Sequence, residues 1–179
     1  VGNALASKLK AEVHVDGARY VQEYERGVPK SDIKKLQNTP ENEALYAHAD
    51  DSVYEPLENG TIITFWPDDT IFETVVFEYQ WVLDYLRHQA YLTKGIQVYA
   101  RDERTNESYA FFFEGGIQSY VRNLNHGKDV VDDDVFYVEK QVGDTMVEIA
   151  VQYSDSFNET IKAFANNVYN PDGGTHLTG

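Results

Sequence analysis

Carboxylates and histidines are the residues of this chain most suited to metal or acid–base chemistry. Asp132-Asp133-Asp134 places three carboxylates in a row, and such oxygen ligands suit a hard cation such as Ca²⁺. The run lacks the alternating spacing and the glycine of a calcium loop, so a solvated turn is the better interpretation. None of the five histidines stands four residues from another with a Glu between them, as the helix of a zinc protease requires. We predict no metal site in this chain.

A pair of glycines near the end of the chain permits backbone conformations that other residues rarely adopt. Gly173 and Gly174 can adopt positive φ, and they are followed by the hydroxyl of Thr175 and the imidazole of His176. A simple turn explains the same residues, and the side chains alone favour that turn. The sequence contains no nucleophile elbow, Walker phosphate loop or dinucleotide fingerprint. Residue types and spacing therefore assign no catalytic residue here.

Composition narrows the possible functions. The 179 residues are 42% hydrophobic, which is enough to build a core, and they include no Cys, which excludes disulfides and thiol nucleophiles. The net charge of −15 repels a polyanion such as DNA. No apolar run approaches the roughly 18–20 residues that cross a membrane, and no signal peptide is visible. We therefore expect no membrane partner and a cytoplasmic location.

Hydrophobic periodicity predicts an α+β chain. In the first part, Asp16-Gly17 between two alternating runs predicts a β-hairpin. The acidic, proline-containing stretch that follows the hairpin predicts a long loop. The predicted elements are the end of a helix over Val1–Lys10, strands over Glu12–Val15 and Ala18–Tyr24, a loop over Gly27–Asn59 with a possible short helix at Glu41–His48, and a buried strand over Gly60–Trp66.

The second part alternates helices and hairpins, and Gly115-Gly116 marks a break that we take as a domain boundary. Because the chain begins with Val1 inside an apparent helix, we expect it to be a fragment. The predicted elements are a helix over Phe77–Thr93 capped near Gly95, a hairpin of Ile96–Arg101 and Ser108–Phe113, a helix over Ile117–Asn125, strands near Val135–Gln141 and Met146–Tyr153, a helix from about Ser156 to Asn167, and a terminal loop.

Segments spread along the chain resemble one protein family in order and spacing. The similarity covers nearly the whole chain and is to the B subunits of bacterial DNA gyrase and topoisomerase IV, which these segments do not separate. In that family a GHKL ATPase module precedes a transducer domain. The segments are Asn3–Ser7, Arg26–Pro29, Gly60–Asp68, Arg87–Gly95 with Thr93 in place of the family's Asn, Asp102–Arg104, Phe113–Ile117, Gln152-Tyr153, Phe164, Asn166-Asn167 and Gly173–Gly179.

The resemblance implies both a fold and a function. The fold is the second half of a GHKL (Bergerat-type) ATPase sandwich in residues 1–116, followed by the first part of the transducer, an α+β domain, in residues 117–179. The implied function is part of an ATP-dependent type II DNA topoisomerase, in which ATP binding and hydrolysis drive DNA strand passage. The alternative is a non-catalytic α+β interaction module that lacks a working ATP site.

The resemblance also implies specific site residues. Thr61 corresponds to a Thr that hydrogen-bonds around the adenine, and Ile63 to an apolar residue that packs on the purine. Good strand propensity is another explanation for Thr61. The family's catalytic Glu, its Mg²⁺-binding Asn and its glycine-rich lid precede Val1, and a Lys that reaches the γ-phosphate follows Gly179. We therefore expect no catalytic residue and no metal ligand in this chain, and no activity from it alone.

The remaining implications concern partners and departures from the family. The parent protein is expected to use ATP and Mg²⁺, to act on DNA with a topoisomerase A subunit, and to dimerise with a second B subunit on ATP binding. Val15 stands where many relatives carry an Arg at the mouth of the pocket, which predicts weaker contact with inhibitors that use that Arg. The acidic stretch Ser31–Asn59 is longer than the usual linker, and the sequence assigns it no function.

Overall fold

The computed structural model describes residues 2–37 and 59–178 in full and the backbone of residues 45–47 and 54–56. The chain divides into two compact units, residues 1–78 and 79–179. Among the described residues the first unit combines strands with a 3₁₀ turn, and the second combines strands with α-helices, so the α+β class is confirmed.

The first unit is built on an antiparallel sheet with β1 at its centre. β1 pairs with β2 on one side and β7 on the other, while β3 and β4 both pair with β2. β5 and β6 form a separate pair. After a 3₁₀ turn at Gly2–Leu5, the strands are β1 (Ala6–Val15), β2 (Ala18–Glu25), β3 (Val28–Pro29), β4 (Lys34–Gln37), β5 (Leu45–Ala47), β6 (Tyr54–Pro56) and β7 (Gly60–Pro67).

The predicted hairpin at Asp16-Gly17 is confirmed. Both residues have positive φ, 50° and 69°, as the tightest two-residue hairpin turns require. The turn fixes the register, so that Val15 lies opposite Ala18 and the pairing continues along β1 and β2.

The prediction of a helix over Val1–Lys10 is wrong from Ala6 onward, where β1 begins, and of its described residues only Gly2–Leu5 is helical, as a 3₁₀ turn. Ala, Leu and Lys favour helices, but this preference amounts to only tenths of a kcal/mol per residue. β1 pairs with β7 from Ala6 and also with β2 from Leu9, and this backbone pairing overrides the local preference.

The stretch predicted as a loop over Gly27–Asn59 contains short strands. The short helix predicted at Glu41–His48 is wrong at Leu45–Ala47, which is a strand, and its other residues lie outside the described part. β4 is polar and exposed, so it gives no hydrophobic signal. Backbone pairing with β2 forms it instead.

The second unit packs its first helix on a hairpin. Leu83 and Ala90 of the helix form a buried cluster with Ala100 and Phe111 of the hairpin strands. The elements are α1 (Tyr79–Leu92), β8 (Gln97–Asp102), β9 (Glu107–Phe112), α2 (Ile117–Leu124), β10 (Phe136–Val142), β11 (Thr145–Val151), β12 (Phe164–Ala165), β13 (Val168–Tyr169) and α3 (Thr175–Thr178).

Most elements predicted for this unit are confirmed, but the helix over Ser156–Asn167 is wrong. Phe164–Ala165 pairs with Val168–Tyr169 as a hairpin instead. Asn166 and Asn167 both have positive φ, and Asn tolerates that conformation better than most residues, so a tight turn replaces the helix. The terminal loop contains the helical turn α3. None of the helices in the described ranges has the length and apolar character needed to cross a bilayer.

Candidate functional site

The central strand β1 and the neighbouring strand β7 present an exposed apolar face in the first unit. The register places Val13 opposite Thr61, Ala11 opposite Ile63 and Leu9 opposite Phe65. Alternate residues of a strand share a face, so Thr61, Ile63 and Phe65 point the same way. We use the name "Thr61 face" for Val13, Val15, Thr61, Ile63 and Phe65.

Large hydrophobic side chains on this face lie open to solvent. Ile63 is 54% exposed, Phe65 50% and Val13 41%. The sequence predicts a buried strand here, and that part of the prediction is wrong: β7 is present, but this face of it is uncovered within the described residues. An exposed apolar patch on a sheet marks a surface that binds a ligand or another part of a protein.

Thr61 adds a polar group to the apolar surface. Among the described residues, none hydrogen-bonds its exposed hydroxyl, which can both donate and accept. Its cross-strand neighbour is Val13, so a ligand bound here meets one hydroxyl beside aliphatic surface. This combination suits a planar heterocycle, which needs desolvation over its ring and a few polar contacts at its edge.

A small apolar cavity lies at the Phe65 end of the face. Its volume is about 250 Å³, and the rings of Phe65 and Phe77 meet edge to face with centroids 6.2 Å apart. Thr61 and Ile63 share a face with Phe65 but do not line the cavity. Our sequence-based predictions do not include this cavity, although the apolar run Val75–Phe77 is a signal for it. The lining residues are Gly2, Leu5, Phe65, Pro67, Phe72 and Thr74–Phe77.

The opposite face of β1 is buried and charged. Glu12 is 6% exposed, and its carboxylate accepts from Lys10 Nζ at 2.8 Å and from Arg19 Nη1 at 3.0 Å. His14 is 1% exposed, and neither ring nitrogen has a hydrogen-bond partner among the described residues. Two cations compensate the buried carboxylate, as a buried charge requires. β1 therefore carries buried Glu12 and His14 on one face and the exposed valines of the Thr61 face on the other.

A buried carboxylate fixes the end of β7 next to the cavity. Asp68 is 1% exposed and accepts from Thr70 Oγ1 at 2.6 Å and from Arg26 Nε at 2.7 Å. The hydrogen bonds from Thr70, together with the Arg26 guanidinium, hold the pKa of Asp68 below its ordinary value. The Asp68 amide also donates to the Leu5 carbonyl at 3.1 Å. The strand that carries the Thr61 face is thus fixed at its C-terminal end.

The carboxylate run and the glycine pair form turns. The Asp134 amide donates to Asp132 Oδ1 at 3.0 Å within an exposed bend, and Gly173 has φ 69° just before α3. In the described part of the chain, no group of three or more His, Cys, Asp or Glu side chains is placed to hold a metal ion.

Sequence comparisons place this chain among known proteins. A sequence model of the DNA gyrase B family matches residues 116–179. The chain is 41% identical over its whole length to the DNA gyrase B subunit of Haloferax volcanii, and covers 26% of that protein. It is 38% identical, again over its whole length, to the DNA topoisomerase 4 B subunit of Streptococcus pneumoniae, and covers 25% of it. The chain thus spans about a quarter of the length of these relatives.

Solved structures share the fold. The 43K ATPase domain of Thermus thermophilus gyrase B, solved with an aminocoumarin, superposes with a TM-score of 0.80 at 27% identity. That match covers 98% of this chain and 44% of the other. The B subunit of Myxococcus xanthus DNA gyrase gives a TM-score of 0.81 at 22% identity, covering 98% of this chain and 47% of the other, and shows the fold alone.

Proposed function

This chain belongs to the B-subunit family of type II DNA topoisomerases, and we propose that it supplies one wall of the family's ATP site and the start of the transducer. The observation that carries the proposal is the Thr61 face: an exposed apolar surface with one hydroxyl that no described residue pairs, on a sheet shared with a gyrase B ATPase domain. In the complete protein, other parts of the ATPase module would cover this face, with the nucleotide between them.

Two residues would contact the base. The Thr61 hydroxyl would hydrogen-bond at the adenine edge, directly or through water, and Ile63 would pack against the ring. The register supports this assignment because it places Ala11 opposite Ile63 and Val13 opposite Thr61, which keeps the surroundings of the hydroxyl apolar. Hydrogen bonds gain strength in such surroundings because water does not compete for the same groups.

The Thr61 face suits the base of ATP better than its phosphates. Its residues carry no charge, so they offer no ligand for Mg²⁺ and no counter-charge for a triphosphate. We propose that Mg²⁺ and the groups that activate water are held by other parts of the complete subunit. ATP supplies the bond whose hydrolysis drives the cycle, and this chain's own residues would orient the base and exclude water from it. The chain alone would therefore be inactive.

We propose residues 1–116 as part of the ATPase module and residues 117–179 as the start of the transducer. The family match that begins at residue 116 supports this boundary. The compact units divide elsewhere, after residue 78, so that α1 and the β8–β9 hairpin pack with the segment assigned to the transducer. A compact unit that spans a functional boundary is expected where two domains are tightly joined.

The partners proposed for the complete protein are those of its relatives' class: DNA, a topoisomerase A subunit and a second B subunit that joins on ATP binding. With a net charge of −15, this chain is not expected to contact DNA itself. The alternative function is a non-catalytic interaction module, in which the Thr61 face would bind a protein partner instead of a nucleotide.

Calorimetry on the full-length subunit, with a non-hydrolysable ATP analogue and Mg²⁺, tests the proposal. Thr61→Val keeps the shape of the side chain and removes the hydroxyl, and we expect the affinity to fall about tenfold. Thr64→Val is the matched control, because Thr64 lies on the other face of β7. Equal affinities for Thr61→Val and the wild type would contradict the assignment of Thr61. No nucleotide binding by the wild type would favour the interaction module.

A further inference from the structure

The turn between β12 and β13 contacts α1 through hydrogen bonds that run in both directions. Gln89 Nε2 donates to the Asn167 carbonyl at 3.1 Å, and Asn167 Nδ2 donates to Thr93 Oγ1 at 3.0 Å. Gln89 lies in the last turn of α1 and Thr93 directly follows the helix, and both precede Asn167 by more than 70 residues. Both the backbone and the side chain of Asn167 are therefore held by the end of the helix.

The conformation of the turn makes these contacts possible. Asn166 and Asn167 have φ of 48° and 62°, and they close the hairpin in which Phe164 lies opposite Tyr169. The tight turn aims the Asn167 amide at Thr93. The Asn166 side chain has no such contact among the described residues, so the two neighbouring asparagines separate the role of the turn from the role of the contact.

Aromatic packing joins the same elements beneath the hydrogen bonds. Tyr91 of α1 stacks on Phe113 at 3.6 Å and contacts Tyr120 of α2 at 5.1 Å, measured between ring centroids. Tyr120 then meets Phe164 of β12 edge to face at 6.2 Å. Tyr91 and Tyr120 are 5% and 6% exposed. Aromatic side chains thus pack against one another without a break from α1 to the β12–β13 turn, and closely packed side chains transmit strain.

We propose that Asn167 is a positioning residue that locks α1, on the ATPase side, to the β12–β13 turn on the transducer side. This inference rests on the proposed function and its boundary at residues 116/117. The hydrogen bonds are exposed to water, so they can break and re-form during a cycle while the aromatic packing persists. Asn167 contacts neither nucleotide nor DNA in this role. It fixes the position of one domain against the other, so that a conformational change in one domain reaches the other.

The test compares Asn167→Gly with Asn166→Gly in the complete enzyme, reconstituted with its A subunit and DNA. Glycine adopts positive φ at both positions, so each variant keeps the turn, but only the first loses the amide that donates to Thr93. We expect Asn167→Gly to lower the number of strand passages per ATP hydrolysed by about two- to thirty-fold, the range of measured coupling changes. Affinity for a non-hydrolysable ATP analogue should stay within about twofold. Asn166→Gly should match the wild type in both measurements.

A second variant removes the acceptor of the same hydrogen bond instead of its donor. Thr93→Val removes the accepting hydroxyl and keeps the side-chain shape, so it should lower coupling as Asn167→Gly does, and combining the two should add little. If the enzyme is active and both variants keep the coupling of the wild type, the proposed role of Asn167 is overturned, while the proposed function stands. An equal loss of coupling and nucleotide affinity, which would indicate a general defect in folding, would overturn that role as well. A wild-type enzyme without ATP-dependent strand passage would overturn the proposed function, and the lock with it.

Discussion

Arg26 and Asp68, which lie 42 residues apart in the chain, form a two-point ion pair. Arg26 Nε donates to Asp68 Oδ2 at 2.7 Å, and Nη2 donates to Oδ1 at 3.4 Å. The carboxylate is 1% exposed, whereas the Arg26 side chain is 60% exposed. The pair links the turn after β2 to the end of β7. It therefore fixes the strand that carries Thr61 and Ile63 against the rest of the sheet.

Asp68→Asn is expected to destabilise the protein in a pH-dependent way. Because the folded-state pKa of Asp68 lies below its ordinary value of 3.8, its contribution to stability is present above the unfolded-state pKa and is lost as pH falls through the folded-state pKa. Thermal unfolding from pH 7 to pH 2 should show a lower midpoint for the variant near neutrality and convergence with the wild type in acid. Asp69→Asn, at an exposed neighbouring position, is the control. Parallel curves at every pH would contradict the prediction.

Ile63→Ala is expected to weaken ATP binding with little effect on stability. Ile63 is 54% exposed, so its truncation removes little buried area from the free protein. The loss of packing on the base amounts to about 1–2 kcal/mol, or roughly 5- to 30-fold in Kd. Ile62→Ala, on the half-buried opposite face, should do the reverse and lower the unfolding midpoint while sparing affinity. Calorimetry and thermal unfolding of both variants check this, and equal affinity losses would count against it.

Val15→Arg is expected to strengthen inhibitor binding by the full-length subunit. Val15 lies on the Thr61 face just before the Asp16-Gly17 turn and is 39% exposed, so an Arg there would reach a bound ligand. Charge-assisted hydrogen bonds contribute about 1.5–3 kcal/mol, which is a gain of about tenfold or more in affinity. An aminocoumarin is a suitable probe, because a structural relative binds that class. Val15→Leu controls for size, and no gain over that control would refute the prediction.

Tyr137 is expected to ionise only in strong alkali. Partial burial, a hydrogen bond of 2.8 Å to Glu139 and the nearby charge of Glu148 raise its pKa to about 12. Its contribution to stability is therefore present below the ordinary tyrosine pKa and is lost as pH rises towards 12. Ultraviolet titration of the wild type minus Tyr137→Phe should show one phenol ionising near pH 12. Glu139→Gln should move that step to lower pH, and an unmoved step would exclude Glu139 as a cause.

Local chemistry in the sequence determined several elements correctly. Asp16-Gly17 predicted a tight hairpin because few residue pairs reach positive φ at low cost, and both residues do so in the structure. The apolar spacing along α1 predicted its helix over almost the observed range. The resemblance named Thr61 and Ile63, whose contact with a nucleotide stays a prediction. The hairpin and the helix could be predicted because their signals lie within a few residues of each other, whereas the resemblance rests on the order and spacing of segments along the whole chain.

Tertiary structure decided what depends on distant residues. Ala6–Lys10 has helix-forming residues but is a strand, because it pairs with β7 from Ala6 and also with β2 from Leu9. The end of the segment predicted as a helix, from Phe164 to Asn167, is part of a hairpin whose turn is held by the end of α1. The exposure of the Thr61 face and the pairing of Arg26 with Asp68 also had no local signal. The free energy of these contacts comes from groups tens of residues apart, and only the folded chain brings them together.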